Sequence, residues 1–407
     1  MNAPRRPLLA LDEALARLVD GARPMRITAN ETVSTFDARG RVLAADVSSL
    51  LDVPPADNTS MDGYAMRAAD VPAAGTELPV SQRIPAGVVG DALVPGTAAR
   101  IFTGAQVPPG ADAVVMQEQC EVVGADRVRI MAVPTPGQWV RRRGEDVRQG
   151  ATVLAAGVRL TPQALGLAAS VGAATLQVLR RPRVTLFSTG DELVMPGEPL
   201  KPGAIYNSNR YTLRALLEAA GCTVMDLGIV PDQLDATRAA LREAAAGNDL
   251  ILTSGGVSVG EEDHLRPAVQ AEGALDLWQV AMKPGKPLAF GRVGQALFIG
   301  LPGNPVSSFV TFLLAVMPVL RTLQGMDPAG PAALQMRADF DWPKPDRRRE
   351  FLRVRINAEG GLELFPNQSS GVLTSTVWAD GLVDNPGEQV IRRGDAVAYL
   401  PLSAWWG

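Results

Sequence analysis

The 407-residue sequence is short of the residues that most active sites are built from. It has one histidine, His264, and two cysteines, Cys120 and Cys222. One histidine rules out a Ser–His–Asp triad away from position 264, and it rules out a multi-histidine zinc site. Two cysteines this far apart are expected to be reduced and buried rather than a disulfide framework. Any metal should therefore be a hard cation on oxygen ligands, such as Mg2+. There is no excess of positive charge either: 39 basic against 43 acidic residues leave −4, unlike a nucleic-acid-binding chain. No apolar run is expected to reach the ~18 residues of a membrane span. The opening MNAPRRPLLALDEALARLVD has no apolar core followed by a cleavage site, so it reads as an amphipathic helix and not as a secretory signal. No nucleic acid, no membrane and a cytoplasmic setting are the resulting expectations. The hydrophobic content, 46% with 20% charged residues, is that of a globular chain, and the length favours several domains.

The chain changes character along its length. Residues 8–20 carry Leu8, Leu11, Leu15, Leu18 and Val19 on one helical face. From 53 to 146, short β-like runs (ARIFTG, ADAVVMQEQCEVV, DRVRIMAV) alternate with Pro and Gly, which predicts a small β domain. Residues 147–180 return to helix at LTPQALGLAASVG. From 181 to about 325, strands (RVTLFSTG, CTVMDLGIV, DLILTSGG, LDLWQVAM, ALFIGLPG) alternate with helices. One helix, SNRYTLRALLEAAG, has Ser208 as its expected N-cap and Gly221 after its end. Another has Asn304 as cap and Pro305 at its first position. This alternation predicts a doubly wound α/β domain with a mainly parallel sheet. Residues 326–407 show short strands and no long helix, a small β domain.

Chemistry should gather beyond the carboxyl ends of the parallel strands. Four loops stand there: STGDEL (188–193), TSGGVSVGEED (253–263), KPGKP (283–287) and LPGNP (301–305). Glycines let backbone N–H groups approach an anion, and helix N-termini add to the site. The candidates are Ser188, Thr189, Gly190, Ser254, Gly255, Gly256, Ser258, Gly260, Pro302, Gly303, Asn304 and Pro305, with Lys283 and Lys286 as point charges. The absence of GxxxxGK[ST] excludes a Walker A loop. The second loop ends in Glu261, Glu262 and Asp263, which would repel an anion unless a cation lies between. Asp191, Glu192, Asp232 and Asp263 are candidate ligands for a divalent cation bridging to phosphate. The plainer alternative is that Glu261–Asp263 favour the start of a helix over 264–271. In the β domain, PPADNTSMDGYA (54–65), RIFTGAQVPPGADAVVMQE (100–118) and VRRRGEDVRQG (140–150) are dense in turn formers and charge. The last could be a solvated face or a contact for an anionic substrate.

DNTSMDGYA, RIFTGAQVPPGADAVVMQE, VRRRGEDV, FSTGDEL, IYNSNR, TSGGVSVGEEDH, MKPGKPLAFG and GLPGNPVSS follow one another over roughly residues 50–310. In this order they resemble the molybdopterin molybdenumtransferases, the MoeA proteins of molybdenum-cofactor biosynthesis, related to the E domain of gephyrin. The resemblance implies an elongated α+β domain from 1–52 plus 147–180, an inserted β domain over 53–146, an adenylyltransferase-like α/β domain over 181–326, and a C-terminal β domain over 327–407. It implies a homodimer whose cleft is shared between subunits, and a reaction of adenylylated molybdopterin with molybdate that yields molybdenum cofactor and AMP with Mg2+ or another divalent ion. Glu192, Asp232, Asp263, Lys283 and Lys286 would then be catalytic, with Asp62, Thr103 and Asp146 completing the cleft. A serine of the C-terminal domain is also implied, with Ser369, Ser370 and Ser375 as candidates. Implied partners are molybdopterin adenylyltransferase and the factors that mature molybdoenzymes. The sequence departs from the family's usual residues at Asn207 (often Asp), His264 (commonly aromatic) and Gln279 (lysine in some members). Adenylylation of molybdopterin and a gephyrin-like scaffold are the competing readings.

Overall fold

The computed structural model describes residues 8–256 and 264–406. The chain separates into two compact units, one of residues 1–31, 40–42 and 178–407, the other of residues 32–39 and 43–177. The helices are α1 (Leu11–Ala22), α2 (Pro162–Ser170), α3 (Ser208–Ala219), α4 (Leu234–Ala245), α5 (Leu265–Glu272), α6 (Pro305–Thr311), α7 (Met317–Leu323) and α8 (Thr374–Trp378).

The larger unit is built on a six-stranded sheet in the order Thr223–Val230, Arg183–Thr189, Leu250–Ser254, Ala296–Leu301, Pro287–Val293, Gly273–Gln279. The first four strands are parallel and the last two join antiparallel. Parallel strands covered by helices must be apolar on both faces; Leu250–Ser254 and Ala296–Leu301 are buried throughout. The sequence reading missed the Pro287–Val293 strand. Its position matters, because it runs antiparallel to Ala296–Leu301 with Ala289 opposite Gly300. Its first residues therefore lie at the carboxyl edge of the parallel strands, and Lys286 is carried there with them.

α6, a π-helical segment Phe312–Val316 and α7 follow one another without a break. Contrary to the reading from sequence, this 19-residue stretch is apolar enough to cross a membrane, with mean hydropathy 1.8, but 89% of it is buried inside the fold. It is the central core helix, packed with α1, α3 and the sheet. Two caps also differ from expectation. Asn207, not Ser208, caps α3, its Oδ1 accepting from the Arg210 N–H at 3.1 Å. Asn304 stands at the N-cap of α6 but makes no side-chain capping bond; the Val306 N–H instead donates to the Ser370 carbonyl at 3.0 Å.

The chain then forms a second sheet, ordered Met282–Lys283, Arg349–Ile356, Gly381–Asn385, Ala396–Pro401, Leu334–Arg337. Its first strand is borrowed from the KPGKP loop, pairing in parallel with Met282 opposite Arg349 and Lys283 opposite Glu350. This sheet has its own core around Phe340, Leu352, Val354, Val383 and Tyr399.

The smaller unit holds a six-stranded sheet in the order Ala113–Met116, Gly63–Met66, Ala98–Ile101, Thr76–Ile84, Arg127–Ile130, Cys120–Val123. Two apolar clusters, one around Met66, Val115 and Val128 and one around Ile84, Ile101 and Val114, cover its faces. Neither cysteine forms a disulfide; Cys222 is buried, but Cys120 is only half-buried, which corrects the expectation for it.

Phe312 is fully buried in the central helix. Truncating it deletes an aromatic ring's worth of packing, and the surrounding sheet and helices are too constrained to fill the void. Phe312→Ala should lower the unfolding free energy of the chain by about 3–5 kcal/mol in urea titration.

Candidate active site

The four parallel strands deliver the ends of Thr189, Val230, Ser254 and Leu301 to one edge of the sheet, and the antiparallel strand delivers Lys286. There a cleft of about 1020 Å3 opens, lined from the α/β side by Thr189, Glu192, Ser254, Gly255, Gly256, Lys283, Lys286 and residues 302–305, and from the C-terminal side by Arg348, Gln368, Ser369 and Ser370. Three of the loops predicted from sequence so converge, and KPGKP joins them by the strand reversal just described.

The backbone of the cleft floor is close-packed. Gly255 and Gly256 have φ of +89° and +64°. A Cβ on Gly255 would fall 2.8 Å from the Thr189 carbonyl oxygen, and one on Gly256 2.7 Å from Thr189 Oγ1. Glycine is required at both on grounds of conformation and of space. Ser188 is fully buried beneath this floor, its Oγ 3.4 Å from that of Ser254, so it supports the loops and does not line the cleft. Asn209 Nδ2 donates to the Gly303 carbonyl at 2.7 Å and ties α3 to the LPGNP loop.

The charges are arranged unevenly. Lys283 Nζ donates to Glu350 Oε1 at 3.0 Å and lies 3.7 Å from Asp346 Oδ2. Glu350 is fully buried, and its other oxygen accepts from Trp342 Nε1 at 2.7 Å and the Asp346 N–H at 3.0 Å. Arg348 grips Asp346 through both of its carboxylate oxygens, at 2.9 and 2.7 Å. That bidentate bond, helped by the Arg348 N–H and Lys283, holds Asp346 well below the usual carboxylate range. Lys286 lines the same cleft with no ion pair among the described residues. It is the cation left to meet a ligand.

Of the metal set expected from sequence, Asp191, Glu192 and Asp232 are among the described residues and Asp263 is not. No group of three His, Cys, Asp or Glu side chains able to hold a metal occurs among the described residues. Glu192 lines the cleft, its carboxylate folded over Gly190. Asp191 is exposed, Asp232 is half-buried beyond the edge strand, and neither faces the cleft. Ser258, Gly260, Glu261, Glu262 and Asp263 lie outside the described residues. His264 occupies the N-cap position of α5 without a side-chain cap, and Gln279, on the far antiparallel strand, does not line the cleft.

Arg353 could not have been picked out as special in the arginine-rich run 347–355. It is 1% exposed, and its guanidinium meets the Ser375 hydroxyl and the Phe351 and Ser369 carbonyls, with no carboxylate among these partners. Burial pulls it down to about 10, so it remains a cation at neutral pH. Gln368 brackets its backbone from both sides. Of the three candidate serines, Ser369 and Ser370 line the cleft and Ser375 is buried with Arg353.

Asp62, Thr103 and Asp146 stand in the smaller unit. Asp62 Oδ1 accepts from both the N–H and the hydroxyl of Thr103, each at 2.7 Å. These bonds, with the charge of Arg100, hold Asp62 below the usual carboxylate range. Asp146 is exposed on the turn after two tethered arginines: Arg142 pairs with Asp57 at 2.7 Å and Arg143 with Asp52 at 2.5 Å. The charge run therefore closes mostly on its own unit.

The fold defines a multidomain α/β protein with a cleft at the carboxyl edge of its parallel strands, lined by glycine- and proline-rich loops. Family models agree along the whole chain: the MoeA N-terminal region (domains I and II) matches residues 9–172, a probable molybdopterin binding domain residues 185–322, and the MoeA C-terminal region (domain IV) residues 335–402. A Haemophilus influenzae molybdopterin molybdenumtransferase is 39% identical over 88% of this chain and 89% of its own length. Molybdopterin molybdenumtransferase 2 of Mycobacterium tuberculosis is 40% identical over 94% and 96%. The crystal structure of a molybdopterin biosynthesis MoeA protein from Pyrococcus horikoshii OT3 superposes with a TM-score of 0.83 at 30% identity, covering 97% of this chain and 99% of that one. The chain belongs to the molybdopterin molybdenumtransferase (MoeA) family, transferases of molybdenum cofactor biosynthesis.

The Glu350 pair makes an asymmetric prediction. Lys283→Met leaves a buried carboxylate without its cation and should cost about 3 kcal/mol of stability by urea titration. Adding Glu350→Gln should recover part of that loss, whereas two independent sites would simply add their costs.

Proposed function

We propose that this cleft binds adenylylated molybdopterin together with molybdate, and that the chain inserts molybdenum to complete the cofactor while AMP leaves. The observation that carries the reading is the meeting of three glycine- or proline-rich strand-end loops with Lys286 and the paired Lys283 and Arg348 in one cleft. Phosphate oxygens are met by the backbone N–H groups of Gly256, Gly303 and Asn304 and by the start of α6, where the helix dipole favours negative charge. Attack of a water oxygen on the adenylyl phosphoanhydride forms a new P–O bond as the bridging one breaks; it leaves negative charge on both fragments, and molybdate brings more. Fixed cations in a partly closed cleft lower the energy of that separated charge without having to reorganise. Lys286 supplies the unpaired one; Ser369, Ser370 and the Arg353 cation behind them face it from the C-terminal sheet.

A divalent ion would supply further charge neutralisation when bound. Among the described residues only Glu192 of the expected ligand set lines the cleft, so no step is assigned to such an ion. The homodimer, the cytoplasmic setting, and the transfer of substrate from a molybdopterin adenylyltransferase and of product to molybdoenzyme maturation factors are part of the same reading.

The deciding measurement is AMP release from adenylylated molybdopterin with and without molybdate. Release that requires molybdate is expected; release indifferent to it, or none, would sink the proposal. Lys286→Ala should lower kcat/KM about a hundredfold, the loss typical of one fixed charge-stabilising donor. Subunit mixing tests the dimer: Asp62→Ala and Lys286→Ala chains, each strongly impaired alone, should recover part of the activity together, and a mixture no more active than its parts would refute a shared site.

A further inference from the structure

We infer that the side-chain amide of Asn207 is a ligand contact, donating a hydrogen bond to an oxyanion bound in the cleft at the N terminus of α3. The inference deepens the proposed function and rests on that reading of the cleft.

Asn207 lines the cleft yet is only 1% exposed. Its amide can be oriented without ambiguity. Oδ1 accepts from the Arg210 N–H at 3.1 Å, and a flipped amide would set donor against donor there. Nδ2 is thereby turned away from the helix, and it is buried with no hydrogen-bond partner. Buried amide donors are almost always satisfied, so one left open beside a cleft calls for an acceptor that arrives with the ligand. The neighbouring amide shows the contrast: Asn209 Nδ2, one step along the same helix, is spent on the Gly303 carbonyl.

The surroundings select the kind of acceptor. α3 has 12 residues, enough for a substantial dipole, and no acidic residue stands in its first turn. With Oδ1 committed to the cap, Asn207 offers the cleft a donor and nothing else. Glu192 is the one carboxylate among the described residues lining this cleft, and Lys286 offsets it. The matching group is a tetrahedral oxyanion, which here has two sources: the phosphate of the adenylyl end, or molybdate.

Calorimetric titration of the full chain with AMP and, separately, with molybdate tests this. Two variants are compared with the unaltered chain, Asn207→Asp and Asn207→Ser. Aspartate and serine cap helices as well as asparagine does, so melting temperatures should stay close to the parent. Asn207→Ser removes the amide N–H without adding charge, leaving a shorter hydroxyl held at the cap, and should weaken the contacted oxyanion about tenfold, the effect of one hydrogen bond. Asn207→Asp replaces the donor by a charged acceptor and should weaken it further. Loss for AMP identifies the phosphate, and loss for molybdate the metal oxyanion. Unchanged affinity in both variants overturns the inference while leaving the proposed function intact. Loss in the aspartate variant alone marks repulsion through space and overturns it too. If the unaltered chain binds neither probe, the reading of the cleft falls and the inference with it.

Discussion

One buried carboxylate sets how the site is put together. Glu350 has no exposure to water, so its charge must be met inside the protein. It is met by Lys283, by the Trp342 indole and by a backbone N–H. The lysine comes from the loop at the edge of the α/β sheet, and the other two donors from the approach to the C-terminal sheet. The same residues pair backbone to backbone, Lys283 opposite Glu350. A salt link of this kind gives little net stability against an apolar alternative, but it penalises any other register, because a shifted strand would strand the charge. It also decides which cation is available. Lys283 and Arg348 arrive at the cleft already paired, and Lys286, three residues on, does not.

The C-terminal wall depends on a second buried charge of opposite sign. Arg353 places its guanidinium among carbonyls and a hydroxyl of the 351–375 region, with no acid among its described partners. A cation so arranged lends positive potential to whatever it supports, and it supports the Ser369–Ser370 segment that faces the cleft. That segment in turn accepts the Val306 N–H through Ser370. A helix start that lacks its expected Asn304 cap is thus completed by the other sheet. Burying Phe312–Val316 and α7 in the core fixes the far end of the same helix, so the serine segment and the anion loops are held on a common rigid support.

Much of this was legible in the sequence where the physics is local. Strand–helix alternation, glycines after strands and Pro305 at a helix start depend on near neighbours, and they appear as read. Readings that depend on distant partners were not legible. Pro287–Val293 escaped notice because a short run with Gly291 in it resembles a loop; it is a strand only because Ala296–Leu301 and Gly273–Gln279 flank it. Ser208 and Asn207 are both good caps by type, and tertiary placement chose between them. Lys283 and Lys286 look equivalent in KPGKP; Glu350, 67 residues away from Lys283, makes them different. Arg353 is indistinguishable from its neighbours until the fold buries it. Among the described acids of the expected metal set, Glu192 lines the cleft and Asp191 and Asp232 do not, because following a strand fixes the sheet edge a residue reaches, not the direction of its side chain.

Two carboxylates, Asp62 in the smaller unit and Asp346 beside Lys283, are held as fixed acceptors. A general base needs a pKa near the working pH and a free lone pair aimed at the proton. Asp62 does not meet the first condition: two short bonds from Thr103 to one of its oxygens hold it below the usual carboxylate range. Asp346 is held lower still by Arg348. Each is a rigid acceptor that orients its partners. The single histidine, at the start of α5, does not line the cleft. Under the proposed function, bringing two anions together calls for stationary positive charge and aligned N–H groups. Those are the resources the described part of this cleft contains: Lys286, the α6 terminus, the glycine floor at 255–256 and the Arg353-backed serines.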